Sequence, residues 1–110
     1  MHNLHVEWSN CARDDLDDLV RYISRDSVLY ARAFAERVVL ASRRLQSFPL
    51  SGRQIPEAEN DNLREIIVQG YRIMYRIEPE RVLILAVMHG SRDLNNPNNQ
   101  PWSQSDSPAE

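Results

Sequence analysis

The chain has 110 residues, a net charge of −3 at neutral pH and 42% hydrophobic residues, which suit a single soluble domain with one core. No stretch approaches the roughly 18 to 20 consecutive apolar residues that a membrane-spanning helix needs, and the negative charge argues against general electrostatic binding of nucleic acid. The only cysteine is Cys11, and residues 1–10 lack the basic and apolar regions of an export signal. We therefore expect a cytoplasmic protein that does not associate with a membrane.

The first half of the chain predicts one strand and two helices. Residues 4–8 alternate apolar and polar side chains, which indicates a strand at the edge of a sheet. Ser9 or Asn10 is a suitable N-cap for a helix over 12–24, and the acidic run at 14–18 is expected to form a solvated face of that helix. A second apolar stripe at helical spacing predicts a helix over 28–48. The two helices, joined by a short link, predict a helical hairpin.

The second half predicts a three-stranded meander. Residues 49–62 are polar and contain two prolines, so we expect a loop. Strands are then predicted over 63–68, 71–78 and 81–88, separated by short turns. The third strand is apolar at every position from Val82 to Met88, which predicts burial on both faces and a central position in the sheet.

Strict alternation in the middle strand divides its side chains between two faces of the sheet. One face carries Tyr71, Ile73, Tyr75 and Ile77, and the other carries Arg72, Met74 and Arg76. On an open sheet face, Arg72 and Arg76 are suited to hold a phosphate or a carboxylate of a partner. The alternative is that they pair within the chain, with Glu65 or Glu78.

The third strand ends in a polar turn with the sequence His89-Gly90-Ser91-Arg92-Asp93. A buried strand that ends in such a turn presents side chains from a rigid base, which favours a functional role for His89 and Arg92. Residues 95–110 are rich in Asn, Pro, Ser and Gln, so we expect a disordered polar tail in which Trp102 is a candidate docking contact. The predicted organisation is therefore one domain over 1–94 followed by this tail.

The predicted order is β-α-α-β-β-β. Helices and strands fall in separate runs, which predicts an α+β fold with the helical hairpin packed on one face of a small antiparallel sheet.

Several strings, taken in order, resemble the ParE/RelE family of toxins from bacterial type II toxin–antitoxin systems. They are Leu63-Arg64-Glu65, the segment 70–77 (GYRIMYRI), the ending 87–93 (VMHGSRD), and the upstream Phe48-Pro49 with Ser51-Gly52-Arg53. The resemblance covers roughly residues 4–94. It implies the same β-α-α-β-β-β fold, a cognate antitoxin encoded by an adjacent gene, and a target whose inactivation arrests growth.

The resemblance leaves the target open between two branches. ParE-like members poison DNA gyrase, whereas RelE-like members cleave mRNA on the ribosome. For a nuclease, the resemblance implies that Arg72 and Arg92 contact phosphate and that His89 is the acid or base. However, all 13 basic residues are arginines, Gly90 stands where some nucleases carry tyrosine, and the net charge is negative.

These departures favour the non-catalytic, gyrase-directed branch. The alternatives are a ribosome-dependent endoribonuclease and a degenerate member that only binds its antitoxin. In each case we predict no metal and no cofactor. The residues predicted to bind the target or the antitoxin are Arg64, Arg72, Arg76, His89 and Arg92.

Overall fold

A computed structural model describes residues 4–103, which form two helices on one face of a five-stranded sheet. The elements are β1 (His5–Trp8), α1 (Asn10–Ser24), α2 (Val28–Arg44), β2 (Arg53–Gln54), β3 (Leu63–Val68), β4 (Tyr71–Ile77) and β5 (Arg81–His89). The α+β class, the helical hairpin and the predicted meander are confirmed.

The sheet is mixed, so the expectation of a purely antiparallel sheet is wrong at one edge. Its strand order is β1-β5-β4-β3-β2, and β1 runs parallel to β5. The reason is the helical hairpin, which carries the chain from one end of the sheet back to the other, as a parallel connection requires. The edge position of β1 and the burial of β5 are confirmed, but β5 is an interior strand next to the edge and β4 is the central one.

The second difference is β2, which lies inside the segment predicted to be a loop. Arg53 pairs with Glu65 and Gln54 with Arg64, antiparallel to β3. A strand of two residues has too little periodicity to be recognised in a sequence. Its short length leaves part of the outer edge of β3 without a neighbouring strand.

Serine side chains cap both helices. The hydroxyl oxygen of Ser9 accepts a hydrogen bond from the Ala12 amide at 3.0 Å, and that of Ser27 accepts one from the Tyr30 amide at 3.0 Å. Because Ser9 is the cap, α1 begins at Asn10, slightly earlier than predicted. Helix α2 ends at Arg44 rather than near Phe48.

The two faces of the sheet each bury an apolar cluster. The helix-side cluster includes Phe34, Val38, Leu45, Ile73, Tyr75, Val82, Ile84 and Val87. The opposite cluster consists of Ile55, Leu63, Met74, Leu83, Leu85 and Leu94, with Ala58, Met88 and Trp102 packed against it. The division of β4 between two faces is therefore confirmed, but the face that carries Arg72 is covered rather than open.

The cover on this face includes part of the segment expected to be disordered. Residues 97–99 and 101–103 form two short 3₁₀ turns, and Trp102 packs against the opposite cluster. For residues 95–103 the structure therefore differs from the expected disordered tail, because one aromatic side chain covers apolar surface that β4 and β5 leave exposed. Residues 104–110 lie outside the described residues.

A β-bulge at Leu85 changes the alternation of β5. Tyr75 lies opposite Ile84 and Met74 lies opposite Ala86, so Leu85 is an extra residue with no partner on β4. Ahead of the bulge, Val82 and Ile84 belong to the helix-side cluster. After it, Val87 does. The bulge thus exchanges the faces onto which the last residues of β5 project.

In the described part of the chain, neither helix has the length and apolar character needed to cross a membrane.

Candidate functional site

Arg72 is the centre of a buried ion-pair network on β3, β4 and the loop before β3. Its Nε–H donates to Glu65 Oε1 at 2.6 Å, and its Nη2–H donates to Glu57 Oε1 at 2.8 Å. Arg53 Nε–H donates to the other oxygen of Glu65 at 2.6 Å. The Arg72 side chain is only 5% exposed and that of Glu65 is fully buried. These contacts leave Arg72 committed to carboxylates of its own chain.

The protonation states in this network follow from the same contacts. The hydrogen bonds from Arg72 lower the pKa of Glu57, against the opposing effect of burial. Burial disfavours the charge of Arg72, but hydrogen bonds with Glu57 and Glu65 outweigh it, so the pKa of Arg72 is raised. Glu57 and Arg72 are therefore both held in their charged forms.

Arg76 belongs to a second network, at the β4–β5 turn. Its Nε–H donates to Glu78 at 2.9 Å, and Arg81 donates to the same carboxylate and to Glu7 on β1. Burial tends to raise the pKa of Glu78, but hydrogen bonds from Arg81 and Arg76 lower it overall. Arg76 therefore joins the turn to the sheet. The alternative in which these arginines pair within the chain is the arrangement observed: Arg72 pairs with Glu65 and Arg76 with Glu78.

Arg64 holds the turn that leads into β2. Its Nη1–H donates to the Gly52 carbonyl at 3.0 Å, and its Nε–H donates to the Asp61 carbonyl. The Tyr75 hydroxyl fixes the same turn, because it donates to the Pro49 carbonyl at 2.6 Å and accepts from the Gly52 amide at 3.0 Å. Arg64 thus has a clear structural role.

His89 is exposed at the end of β5. Its Nδ1 accepts a hydrogen bond from the Ser91 amide at 3.1 Å and lies 2.6 Å from the Ser91 hydroxyl. Its ring packs edge to face against the ring of Tyr71, with the two centroids 5.4 Å apart, and the Tyr71 ring packs edge to face against Phe34. Accepting at Nδ1 leaves the proton on Nε2. The turn and the aromatic contacts thus orient the imidazole.

Arg92 lines a small cavity beside the end of β5. The cavity has a volume of about 170 Å³, and its polar lining comes from Ser9, Asp15, Arg92, Asn98 and Asn99. One oxygen of Asp15 accepts a hydrogen bond from the Val87 amide at 3.1 Å. Burial raises the pKa of Asp15, and the Val87 amide and the charge of Arg92 oppose this. His89 does not line the cavity.

Arg72 and His89 do not lie in one site. Tyr71 is paired with His89 and Arg72 with Met88. Adjacent residues of a strand project to opposite faces, so His89 lies on the helix side with Tyr71 and Arg72 on the other side with Met88. Of the five predicted residues, the structure leaves His89 and Arg92 exposed at the end of β5. It assigns the other three to ion pairs and turns.

Glu57, in the Arg72 network, and Asp15, in the lining of the cavity, are among the residues that were not predicted. Glu57 lies in a loop, where no periodicity marks a buried partner. Asp15 was included in the solvated acidic face of α1 but is half-buried. A signal for Asp15 was present, because it follows Ala12 by three residues and precedes Leu19 by four, which places it on the apolar side of the helix.

Comparison with known proteins agrees with the fold. The profile of a family described as ParE toxin of type II toxin-antitoxin system, parDE, matches residues 6–94. A chain of the chromosomal ParDE toxin–antitoxin system from P. aeruginosa is 20% identical, with a TM-score of 0.66 over 81% of this chain and 98% of that chain. A chain of the toxin–antitoxin complex RelBE2 from Mycobacterium tuberculosis is 28% identical, with a TM-score of 0.59 over 81% and 93%. No curated protein matches the chain.

A helical hairpin on this mixed sheet, together with the profile match, defines the toxin component of a type II toxin–antitoxin system. Within that class, the chain belongs to the ParE toxin family.

Proposed function

We propose that this toxin arrests growth by binding DNA gyrase through the end of β5, without an active site of its own. The observation that carries the proposal is the separation of Arg72 from His89 by the sheet. Cleavage of RNA at the ribose 2′-hydroxyl requires a base, an acid and cations that converge on one phosphate within hydrogen-bond reach. Arg72 and His89 project from opposite faces, and Arg72 is already held by Glu57 and Glu65.

The proposed gyrase-binding surface consists of His89, Ser91 and Arg92. All three are exposed: His89 is the last residue of β5, which is buried on both faces from Val82 to Val87, and Ser91 and Arg92 follow it. A short, rigid turn that presents a cation and an imidazole is suited to docking on a protein surface, since little conformational entropy is lost on binding. This surface needs no metal and no cofactor. The proposed toxin unit is the domain of residues 1–94 together with the turns over 97–103 that cover its sheet, and it acts in the cytoplasm.

The proposed partner is an antitoxin encoded by an adjacent gene. Support comes from the two similar structures, which are described as a ParDE toxin–antitoxin system and a RelBE2 toxin–antitoxin complex. Expression of the toxin alone should stop growth, and co-expression of the neighbouring small protein should restore it. If cells tolerate high expression of the folded chain, the protein is instead a degenerate member of the family that only binds its antitoxin.

Purified gyrase tests the proposed target. Antitoxin-free toxin at micromolar concentration should inhibit the supercoiling of relaxed plasmid. Arg92→Ala should weaken this inhibition about tenfold, because it removes a charged contact that contributes about 1.4 kcal/mol to binding. Arg32→Ala, an exposed arginine on α2, is the matched control and should inhibit as the wild type does. Folded toxin that leaves gyrase untouched at micromolar excess would contradict the assignment.

A further inference from the structure

Residues 95–103 turn back onto the sheet as a strap that is fixed at both ends. The profile of the ParE toxin family ends at residue 94, so the strap lies outside the part of the chain that matches it. Leu94, just before the strap, is buried, and Trp102 near its other end packs against the same apolar cluster. Between them, Gln100 Nε2–H donates to the Leu94 carbonyl at 2.8 Å, which closes the segment into a loop.

One strap residue, Asn99, contacts the turn that carries the proposed gyrase-binding surface. Its side-chain Nδ2–H donates to the Asp93 carbonyl at 2.8 Å, and its Oδ1 accepts a hydrogen bond from Arg92 Nη2–H at 3.3 Å. Its own backbone amide donates to the Asn96 carbonyl at 2.9 Å, which fixes Asn99 within the strap. An amide oxygen is a neutral acceptor, so it orients a guanidinium without neutralising its charge. Asn99 therefore holds Arg92 and leaves its positive charge available.

A carboxylate on α1 is a competing partner for the same guanidinium. Asp15 and Arg92 line one cavity of about 170 Å³, yet they make no ion pair with each other. One oxygen of Asp15 accepts a hydrogen bond from the Val87 amide, and its other oxygen accepts none from residues 4–103. Burial above all, with the charges of Asp18 and Asp14, raises the pKa of Asp15. A cation brought to the second oxygen would therefore be favourable.

We propose that Asn99 is a positioning residue that holds Arg92 exposed for the target and away from Asp15. When the contact with Asn99 is lost, the Arg92 side chain turns across the cavity and pairs with Asp15, which neutralises the charge that the target would meet. Trp102 anchors the strap, and Asn99 acts only through Arg92. This inference rests on the function proposed above, in which Arg92 contacts gyrase.

The pKa of Asp15, measured by NMR titration of its carboxyl carbon in the full chain, tests this competition without any target. In Asn99→Ala the pKa should fall by about 0.7, which corresponds to an ion pair with Arg92 that is about fivefold more favourable. Asn98→Ala is the matched control and should leave the pKa unchanged, because Asn98 is exposed and its side chain makes no hydrogen bond with residues 4–103.

An Arg92→Ala background separates pairing from exposure to water. Loss of Asn99 could also lower the pKa of Asp15 by loosening the strap and admitting solvent to the cavity. In the Arg92→Ala background, Asn99→Ala should leave the pKa of Asp15 unchanged, since no guanidinium is present to pair with it.

Inhibition of gyrase supercoiling tests the consequence for the target. Asn99→Ala should weaken inhibition about fivefold, somewhat less than Arg92→Ala does. Adding Asp15→Asn should restore inhibition to within about twofold of the wild type, because asparagine keeps an oxygen for the Val87 amide but carries no charge for Arg92. Asn98→Ala should inhibit as the wild type does. Thermal melts establish that each variant is folded.

Three results overturn the proposal. The first is a pKa of Asp15 that Asn99→Ala leaves unchanged, or lowers equally when Arg92 is absent. The second is full inhibition of gyrase by Asn99→Ala. The third is weakened inhibition that Asp15→Asn does not restore, which would make Asn99 itself a contact with the target. If the wild type leaves gyrase untouched while Asn99→Ala lowers the pKa through Arg92, the proposed target is refuted and the competition between Asn99 and Asp15 is retained.

Discussion

Arg72 and His89 project from opposite faces of one sheet, although their strands are neighbours. The register that pairs Tyr71 with His89 and Arg72 with Met88 produces this separation. A phosphate held by Arg72 would therefore be out of reach of the imidazole. The two residues have different roles: Arg72 neutralises buried carboxylates, and His89 is displayed at the end of β5.

The first prediction concerns the stability that Arg72 provides. Arg72→Ala removes one of the two arginine partners of the buried Glu65 carboxylate and also removes the ion pair with Glu57. Because it leaves buried negative charge poorly compensated, it should reduce the free energy of unfolding by about 3–5 kcal/mol. Urea denaturation measures the change. Arg32→Ala, an exposed arginine, should change stability by less than about 0.5 kcal/mol. An Arg72→Ala protein as stable as the wild type but without toxicity would make Arg72 a functional contact instead.

The second prediction concerns acid stability. Hydrogen bonds from Arg72 lower the folded-state pKa of Glu57 below its ordinary value of 4.5. A lowered carboxyl pKa contributes stability that is fully present above the unfolded value and is lost as the pH falls through the folded value. The difference in unfolding free energy between the wild type and Glu57→Gln should therefore shrink as the pH falls from about 6 to about 3.

The matched control for this pH dependence is Glu36→Gln, on the exposed face of α2. Its difference from the wild type should be small and nearly constant over the same range. A Glu57→Gln difference that stays constant or grows toward low pH would contradict the pairing with Arg72.

The third prediction isolates the Tyr75 hydroxyl. Tyr75→Phe removes the donor to the Pro49 carbonyl and the acceptor for the Gly52 amide, and should cost about 1–3 kcal/mol of stability. Tyr71→Phe is the control, because its ring packs on Phe34 but its hydroxyl makes no hydrogen bond with residues 4–103. Thermal unfolding compares the two variants. Equal losses for both would mean that the turn does not depend on this hydroxyl.

The fourth prediction concerns Trp102 and the segment after β5. Trp102 packs against the cluster that contains Met74, Leu83 and Leu94. Trp102→Ala should therefore destabilise the chain by about 1–3 kcal/mol, while Ser103→Ala, an exposed neighbour, should have almost no effect. Chemical denaturation decides this. An unchanged midpoint for Trp102→Ala would favour the disordered tail that the sequence predicts.

The main elements could be predicted because their signals are local. The apolar run from Val82 marks an interior strand, and the alternation from Tyr71 to Ile77 divides β4 between two clusters, as observed. The pairing of Arg72 with Glu65 was one of two alternatives open from the sequence. Choosing between them requires knowing which residues cover the face that carries Arg72. Those residues include Ile55 and Trp102, which are far from Arg72 in the sequence.

The position of His89 could not be predicted, because it depends on one extra residue. Unbroken alternation from Val82 places residues 83, 85, 87 and 89 together, on the face that carries Arg72. The bulge at Leu85 moves Val87 and His89 to the helix side. Nothing in a uniformly apolar strand marks where such a bulge falls. The sequence therefore groups His89 with Arg72 on one functional face, whereas the bulge places the two residues on opposite faces.

Primer extension on a message translated in a cell-free system distinguishes a toxin that acts by binding, as proposed, from one that cleaves RNA. Purified, folded toxin should produce no new stops at codons in the ribosomal A site, because Arg72 and His89 cannot contact one phosphate. Cleavage in the A site that His89→Ala abolishes would contradict the account and make the protein a ribosome-dependent endoribonuclease. Loss of an acid or base lowers the rate about 10²-fold or more, so the two results are readily distinguished.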